Sequence, residues 1–471
     1  MDSKFNKVLK LRDILGIAFG AMIGWGWVIN SGDWLINAGF VGSIIAFLIG
    51  GLMVLFVGFA YAELTSAMPR CGGEHIFSLR AFGPNISFIC TWAIVLGYLA
   101  TAAFEAAAFP TVIKYLFGET FNYGLMYYVG ETPIYASYVI VGVLMSIIIT
   151  VLNILGVKKA VRFQNILTCV ILLAAALLFV GSLISGSAKN INGNLFGLGN
   201  DSNVTGFAGG VLTVTCMTPF LFVGFDVIPQ AAEEVDSGYK QLGKMLVTSI
   251  ILTVLFYLMI VFAVSNIFSI DEIQYSMKNG LVSADAMSKA WSSKAMGIIL
   301  IIGGLCGIIT SWNSFILGGS RALYSLGEAK MIPKSFSKLT KNSKAPYVGI
   351  ILGGALCSIA PFFGKPVLIW LVDAAGFGCC IAYFIVSLSF VVLRKNDPQM
   401  DRPFKVVHYR FIGCGACIMS AFLIFLYIVP LPFSNSSLCW QEWVVVGSWA
   451  IIGLSFYLWG RIMHRKLYGK I

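Results

Sequence analysis

Apolar runs of about twenty residues recur from one end of this 471-residue chain to the other, and that recurrence leaves few architectures open. A helix of about 20 predominantly apolar residues spans the hydrocarbon core of a bilayer. At that depth every backbone N–H and C=O must be satisfied by the protein itself, so only helices and closed barrels cross. The runs fall at 14–36, 41–66, 85–116, 133–156, 160–185, 206–231, 241–268, 296–327, 346–363, 366–393, 411–431 and 440–461, and most are far too long for barrel strands. Composition agrees: 58% of residues are hydrophobic and 11% charged, with a mean hydropathy of +0.87, against about 25% charged in a soluble domain. An all-α polytopic membrane protein of about twelve spans follows.

The net charge of +11 reports orientation. With the N-terminus placed in the cytoplasm, Lys114, Lys189, Lys278, Lys289, Lys294 and Lys365 alone of the 32 basic residues fall on the far side. That bias is the positive-inside rule, and it puts both termini in the cytoplasm of a cell-membrane protein. A nucleic-acid footprint would cluster on a soluble face, and no such domain is legible, so the expected partners are the lipid bilayer and a small solute. The basic N-terminal segment imitates a signal peptide, but its apolar run continues past any signal core without a small-residue cleavage site and reads as a retained first helix. The 11 cysteines are scattered, and Cys414-x-x-Cys417 lacks a second pair or a nearby His, which favours buried thiols over zinc. Three His, placed in loops or tails, with no P-loop or nucleophile–base set argue against ATP-driven transport and against an enzyme.

Two runs are interrupted. The first contains Gly20-Ala-Met-Ile-Gly-Trp-Gly-Trp27, and the sixth Thr218-Pro-Phe-Leu-Phe-Val-Gly-Phe-Asp226. Glycine alone commonly serves close helix packing. Interruptions in the first and sixth runs, at corresponding places of a 5+5 repeat, point instead to a midplane binding site in a secondary transporter. Freed N–H groups at a half-helix start suit a carboxylate, and freed carbonyls suit an ammonium or a metal cation. The candidate substrate-binding residues are Ala21, Ile23, Gly24, Trp25, Gly26 and Trp27 on the first run, with Phe222, Gly224, Phe225 and Asp226 on the sixth. Gly50-Gly51 and Gly303-Gly304 read as packing devices.

Nearly end to end, the chain resembles the amino acid–polyamine–organocation superfamily of permeases. The resemblance rests on Gly20-Ala-Met-Ile-Gly24, on Pro69-Arg-Cys-Gly-Gly-Glu74 with Gly83-Pro84, and on Gly224-Phe-Asp226 with Ala231-Ala-Glu-Glu234. It continues in Thr310-Ser-Trp-Asn-Ser314 with Ser320-Arg321 and Pro333, and in Arg402-Pro-Phe404. In motif it is nearest the bacterial branch similar to cationic amino acid transporters. The resemblance implies a LeuT-type fold working by alternating access: a ten-helix core over 14–393, in inverted repeats 14–185 and 206–393. Two further helices would occupy 394–461, with cytoplasmic tails at 1–13 and 462–471.

Departures from the family pattern bear on substrate and coupling. Trp25 and Trp27 replace a small and an aliphatic residue, so two indoles reshape the first break, and Trp25 is expected to restrict substrate size. Many relatives carry a fifth-helix Lys linked to proton coupling; aligning through Asn165 puts Ile171 there. The cationic branch has Leu-Glu-Tyr on its third helix, where this chain has Leu96-Gly97-Tyr98 and carries an acid eight residues on, at Glu105. Eight residues turn a helix about 80° beyond two turns and advance it about 12 Å, so Glu105 is no simple replacement.

Asp33, Glu105, Asp226 and Asp373 fall inside runs, and intramembrane acids are functional candidates by default. For each a bland role stands beside the functional one: a wet helix end for Asp33, capping of the half-helix for Asp226, structural hydrogen bonds for Glu105 and Asp373. Their excess over bases favours a substrate with an ammonium group. A small amino acid, or an amine or polyamine with no carboxylate requirement, both satisfy that; a channel or a non-transporting protein is the remaining alternative. Coupling candidates are Glu105, Thr310 and Ser311, with a sodium site at Gly307, Thr310 and Ser311 set against proton coupling.

Overall fold

The computed structural model describes residues 5–197, 204–236, 238–430 and 437–468. In chain order its helices are α1 Leu11–Met22, α2 Gly26–Ile29, α3 Ser31–Ala67, α4 Gly73–Phe82 and α5 Pro84–Phe117. A hairpin of β1 Leu125–Val129 and β2 Thr132–Tyr135 follows, then α6 Ala136–Ile154, α7 Val157–Ser185 and α8 Ala188–Gly193. The second half runs α9 Val204–Phe222, α10 Val227–Gln230, α11 Tyr239–Ile267, α12 Ile270–Asn279, α13 Val282–Ala290 and α14 Lys294–Glu328. It ends with α15 Tyr347–Ile359, α16 Gly364–Asn396, α17 Tyr409–Ile428 and α18 Trp440–Tyr468.

Among the described residues ten helices are long and apolar enough to cross a membrane, and Tyr347–Phe363 is a shorter apolar helix. This is a multi-pass membrane protein. The expectation of an all-α chain needs one correction, the antiparallel hairpin. Pro133, assigned from sequence to the start of a span, pairs with Tyr128 in β2, because proline and alternating side chains suit an edge strand better than a helix interior. Another difference lies in α3, whose two apolar runs join across Gly39 at φ +66°. There the backbone kinks against residues 194–197, with Phe40 and Val41 N–H donating to the Asn194 and Leu195 carbonyls.

Helix α5 lies at the centre, against α14 and α16, while α18 is largely exposed at the rim. Polar side chains join the core helices. Asn153 of α6 donates to Asn313 of α14 (2.8 Å), which donates to Gln164 of α7 (2.6 Å). Gln164 in turn donates to the Gly16 and Ile17 carbonyls of α1, each at 3.2 Å. The two diglycines are contact points: Gly50 meets Thr218, Gly51 Val254, Gly303 Ala174, and Gly304 the ring of Trp25.

The bundle has a hairpin end and a terminal end. At the terminal end Phe5 packs on Tyr324, and Gly460 lies against the Met331 carbonyl. Arg402 and Arg394 both reach the buried carboxylate of Glu63, at 3.1 and 2.6 Å. Through them the Arg402-Pro-Phe404 segment clamps the ends of α3 and α16. His75, expected in a loop, sits in α4; burial pushes it down to about 4, and its Nδ1 lies 2.8 Å from Ser87 Oγ.

Candidate functional site

Both interrupted runs are broken in space. Helix α1 stops at Met22, Ile23 turns to φ −111°, ψ 77°, and α2 restarts at Gly26. Helix α9, with Pro219 inside it, stops at Phe222, and α10 restarts at Val227 after Gly224 at φ +133°. The breaks touch: a Cβ placed on Gly224 would lie 2.6 Å from Ala21 Cβ and 2.9 Å from Met22 N. Only a residue without a side chain permits that approach at that backbone angle.

Tyr257 of α11 closes the gap. Its hydroxyl lies 3.0 Å from the Met22 carbonyl and 3.2 Å from that of Leu221, one freed acceptor from each broken helix. Replacing it with phenylalanine keeps the ring, which stacks on Phe47, and leaves both carbonyls without that donor. Unmet buried acceptors cost about 1–3 kcal/mol. Tyr257→Phe is therefore expected to lower the unfolding midpoint of the detergent-solubilised protein by that equivalent; an unchanged midpoint would show that the bridge carries no weight.

The two breaks differ in how their N–H groups are served. At the second, Asp226 accepts from its neighbour Gly224 N–H (2.9 Å) and from Tyr383 Oη (3.2 Å) and makes no side-chain cap bond to the half-helix that starts at Val227. At the first, none of the described backbone bonds uses the N–H of Gly24, Trp25 or Gly26. Of these three residues Trp25 and Gly26 line a cavity of about 1280 Å³ that opens at the hairpin end. Trp25, Gly26, Phe220 and Leu221 reach the floor, Phe104 and Thr111 of α5 and Asp373 of α16 the walls, and Glu131 and Ile134 of the hairpin the rim.

The sequence-derived residues thus divide. Trp25 and Gly26 line the cavity, while Phe222, Phe225 and Asp226 lie fully buried beyond it. Trp27 is also fully buried, edge-on to Phe256 at 5.5 Å, so one indole rather than two meets the cavity. Ala21 and Ile23 are buried at the junction. Gly24 turns toward α5 and α14, where Glu105 and Ser311 meet it. The Ile23 and Gly24 carbonyls abut Gly307, and the Thr310 hydroxyl is hydrogen-bonded to the Gly307 carbonyl at 3.0 Å. Asp33 is half-buried on α3, and Ile171 is fully buried on α7. Sequence reasoning passed over Tyr257, Tyr383 and Tyr98, which differ in no local pattern from the other tyrosines.

Beneath the site the terminal end is sealed. Val8 and Leu9 N–H donate to the Glu234 carbonyl (2.9 and 3.0 Å), and Asp236 N–H donates back to Leu9 (2.8 Å). Glu234 forms a buried pair with Arg321 of α14 at 2.5 Å. Glu74 of α4 accepts from Gln230 and lies 3.5 Å from Tyr98 Oη.

A cavity open at one end, sealed at the other, and floored by two broken helices is the form of a carrier. Comparison with known proteins agrees: the model of the family described as amino acid permease matches residues 9–455. The chain belongs to the amino acid permease family. The permease is 26% identical over 471 residues to the branched-chain amino acid permease BcaP of Bacillus subtilis, covering 99% of this chain and 95% of that protein. It is 23% identical to the methylthioribose transporter of the same organism (97% and 94% covered). It is 24% identical to the lysine-specific permease LysP of Lactococcus lactis (97% and 90%). The family and these relatives are transport proteins rather than enzymes.

Proposed function

We propose that the permease is a secondary active transporter that carries a small amino acid across the cell membrane by alternating access, with the first break as its carboxylate seat. The observation that carries this reading is the contrast between the breaks. At the second, Asp226 already accepts from the Gly224 N–H, whereas the first presents Trp25 and Gly26 to the cavity, and none of the described backbone hydrogen bonds uses their N–H groups. An anion at a half-helix N-terminus meets those donors and the favourable end of the helix dipole. BcaP and LysP, whose names give a branched-chain and a basic amino acid, support a substrate bearing both carboxylate and ammonium.

In this reading the fold is two inverted five-helix repeats over 14–185 and 206–393, two added helices over 394–461, and cytoplasmic tails at 1–13 and 462–471. The twelve spans are the ten long helices, with α1–α2 and the shorter Tyr347–Phe363 helix completing the count as α3 divides at Gly39 between the first span and the second. The hairpin end faces outward, and the described conformation is the outward-open one. Coupling is to a cation at the junction of Gly24, Glu105, Gly307, Thr310 and Ser311, sodium or a proton.

The test is counterflow in proteoliposomes across a panel of labelled amino acids and of amines lacking a carboxylate. Exchange of at least one amino acid, with the matching decarboxylated amine inactive, is expected. If only the amines exchange, the carboxylate seat is wrong, and a second reading, an amine permease, takes its place.

Trp25 sets the size limit. Its ring rests on Gly304, where an added methyl would lie 2.2 Å from it, so it cannot swing toward α14 to admit a longer substrate. Trp25→Ser is expected to raise uptake of bulky over small amino acids by about tenfold, the worth of one or two methylenes in a pocket. An unchanged selectivity profile in a folded variant counts against this role.

A further inference from the structure

Helices α5, α16 and α18 enclose a second hollow, a groove of about 400 Å³ on the outer wall of the bundle. Two tryptophans shape it. Trp92 of α5 and Trp449 of α18 stack at 4.5 Å and 15°, and each indole N–H donates to the other residue's backbone carbonyl at 2.9 Å. That strut fixes the spacing of α5 and α18, and the small residues beside it, Ala93, Gly378 and Ala450, leave the neighbouring space unfilled. Ile89 and Leu454, 51% and 57% exposed, flank the mouth, so the groove opens sideways from the bundle.

Its depth, width and polarity select what can fill it. Helix α18 is one of those long and apolar enough to cross a membrane. The lining follows it from Val446 to Tyr457, about 17 Å at the helical rise, and one leaflet of a hydrocarbon core is about 15 Å deep. Spread over that length the volume leaves a cross-section of about 24 Å², against about 80 Å² for a helix. The groove is therefore too narrow for a helix of another protein. Both indole N–H groups are committed to the strut, and the other lining side chains are apolar up to the terminal end, where Asn85 and Tyr457 close the groove. A polar solute finds no partner along such walls, whereas an acyl chain needs none. Filling the space also restores dispersion contacts that an empty void forfeits.

The closed end is basic. Tyr457 Oη donates to Asn85 Oδ1 at 2.7 Å, which leaves the Asn85 amide N–H groups to donate outward. Arg461, one turn beyond Tyr457, holds its guanidinium 5.6 Å over that ring, and no carboxylate among the described residues pairs with it. In the sequence every charged residue after Glu442 is basic: Arg461, Arg465, Lys466 and Lys470. A guanidinium and an amide at the end of an apolar groove complement a phosphate joined to its acyl chain.

We propose that this groove is a lipid site: it seats one acyl chain of an anionic phospholipid, whose phosphate accepts hydrogen bonds from Arg461 and Asn85. The bound lipid holds α18 against α5 and α16. The site stands on the membrane embedding of the chain and is independent of which solute the permease carries.

The full chain, purified in mild detergent and stripped of lipid, is titrated with phosphatidylglycerol or with phosphatidylcholine of the same acyl chains. Native mass spectrometry counts bound lipid, and the unfolding midpoint is recorded alongside. Wild type is expected to retain one phosphatidylglycerol with about fivefold higher affinity than phosphatidylcholine, the worth of one basic residue at an anionic head group. Its midpoint should rise once that lipid is bound. Arg461→Gln should lose the preference while still taking up phosphatidylcholine. Ala450→Trp fills the groove and should lose the retained lipid, whereas Ser455→Trp, exposed on the same helix outside the groove, should keep it. Equal affinity for the two lipids in wild type, or a preference that survives Arg461→Gln, overturns the proposal. So does retention by Ala450→Trp as strong as by wild type, or a wild-type dimer that Ala450→Trp dissociates. If Ala450→Trp does not fold, the comparison of wild type with Arg461→Gln decides.

Discussion

Replacing Glu234 by glutamine is expected to cost the folded protein about 3–5 kcal/mol, because it strands a buried guanidinium. Arg321 and Glu234 are 3% and 5% exposed and meet at 2.5 Å. Among the described residues the other hydrogen-bond partners of Arg321 are neutral, the Leu317 carbonyl at 3.1 Å and Ser320 Oγ at 3.4 Å. The Glu234→Leu/Arg321→Met double variant removes both charges and should recover most of the loss, since an apolar pair of similar volume is often no less stable than a buried ion pair. A denaturant titration in detergent reads both. A single variant as stable as wild type would show the pair to be wet and unimportant.

Gly224→Ala is expected to lower transport by at least about tenfold while the protein still inserts. The added methyl would be 2.6 Å from Ala21 Cβ and 2.9 Å from the Ala21 backbone carbon, at a φ of +133° that side chains rarely adopt. Left-handed strain of about 1–3 kcal/mol and overpacking of similar size both act where the broken helices meet. Gly209→Ala, on the same helix and with open space around it, is the control and should transport normally. Normal uptake by Gly224→Ala would mean that the contact between the breaks is dispensable.

The long apolar helices were legible in the sequence because lipid imposes a length and a composition, and the breaks because glycine and proline leave the helix visibly. Side-chain direction was not. Trp25 and Trp27 are two residues apart in one motif, yet one borders the cavity and the other is buried on Phe256. What separates them is which neighbour offers room: Gly304 for Trp25, the aromatic side of α11 for Trp27. Tyr257 is one of 18 tyrosines, and its position between two freed carbonyls depends on the approach of α11 to both breaks, which no local pattern encodes. Glu105 was recognisable as an acid out of place, but its meeting with Gly24 depends on the tilt of α5 against α1.

The strand-like pairing of residues 8–9 with 234–236 has a kinetic consequence. It ties the chain just before the first broken helix to the chain just after the second, so the lower halves of both must swing together or part. If they part, every turnover breaks three backbone hydrogen bonds and exposes the Arg321–Glu234 pair to water. The rate of such a step climbs steeply with temperature, as local unfolding does. If they swing as one body, the rate depends only gently on temperature, so the slope of an Arrhenius plot of uptake reads out which motion this carrier uses.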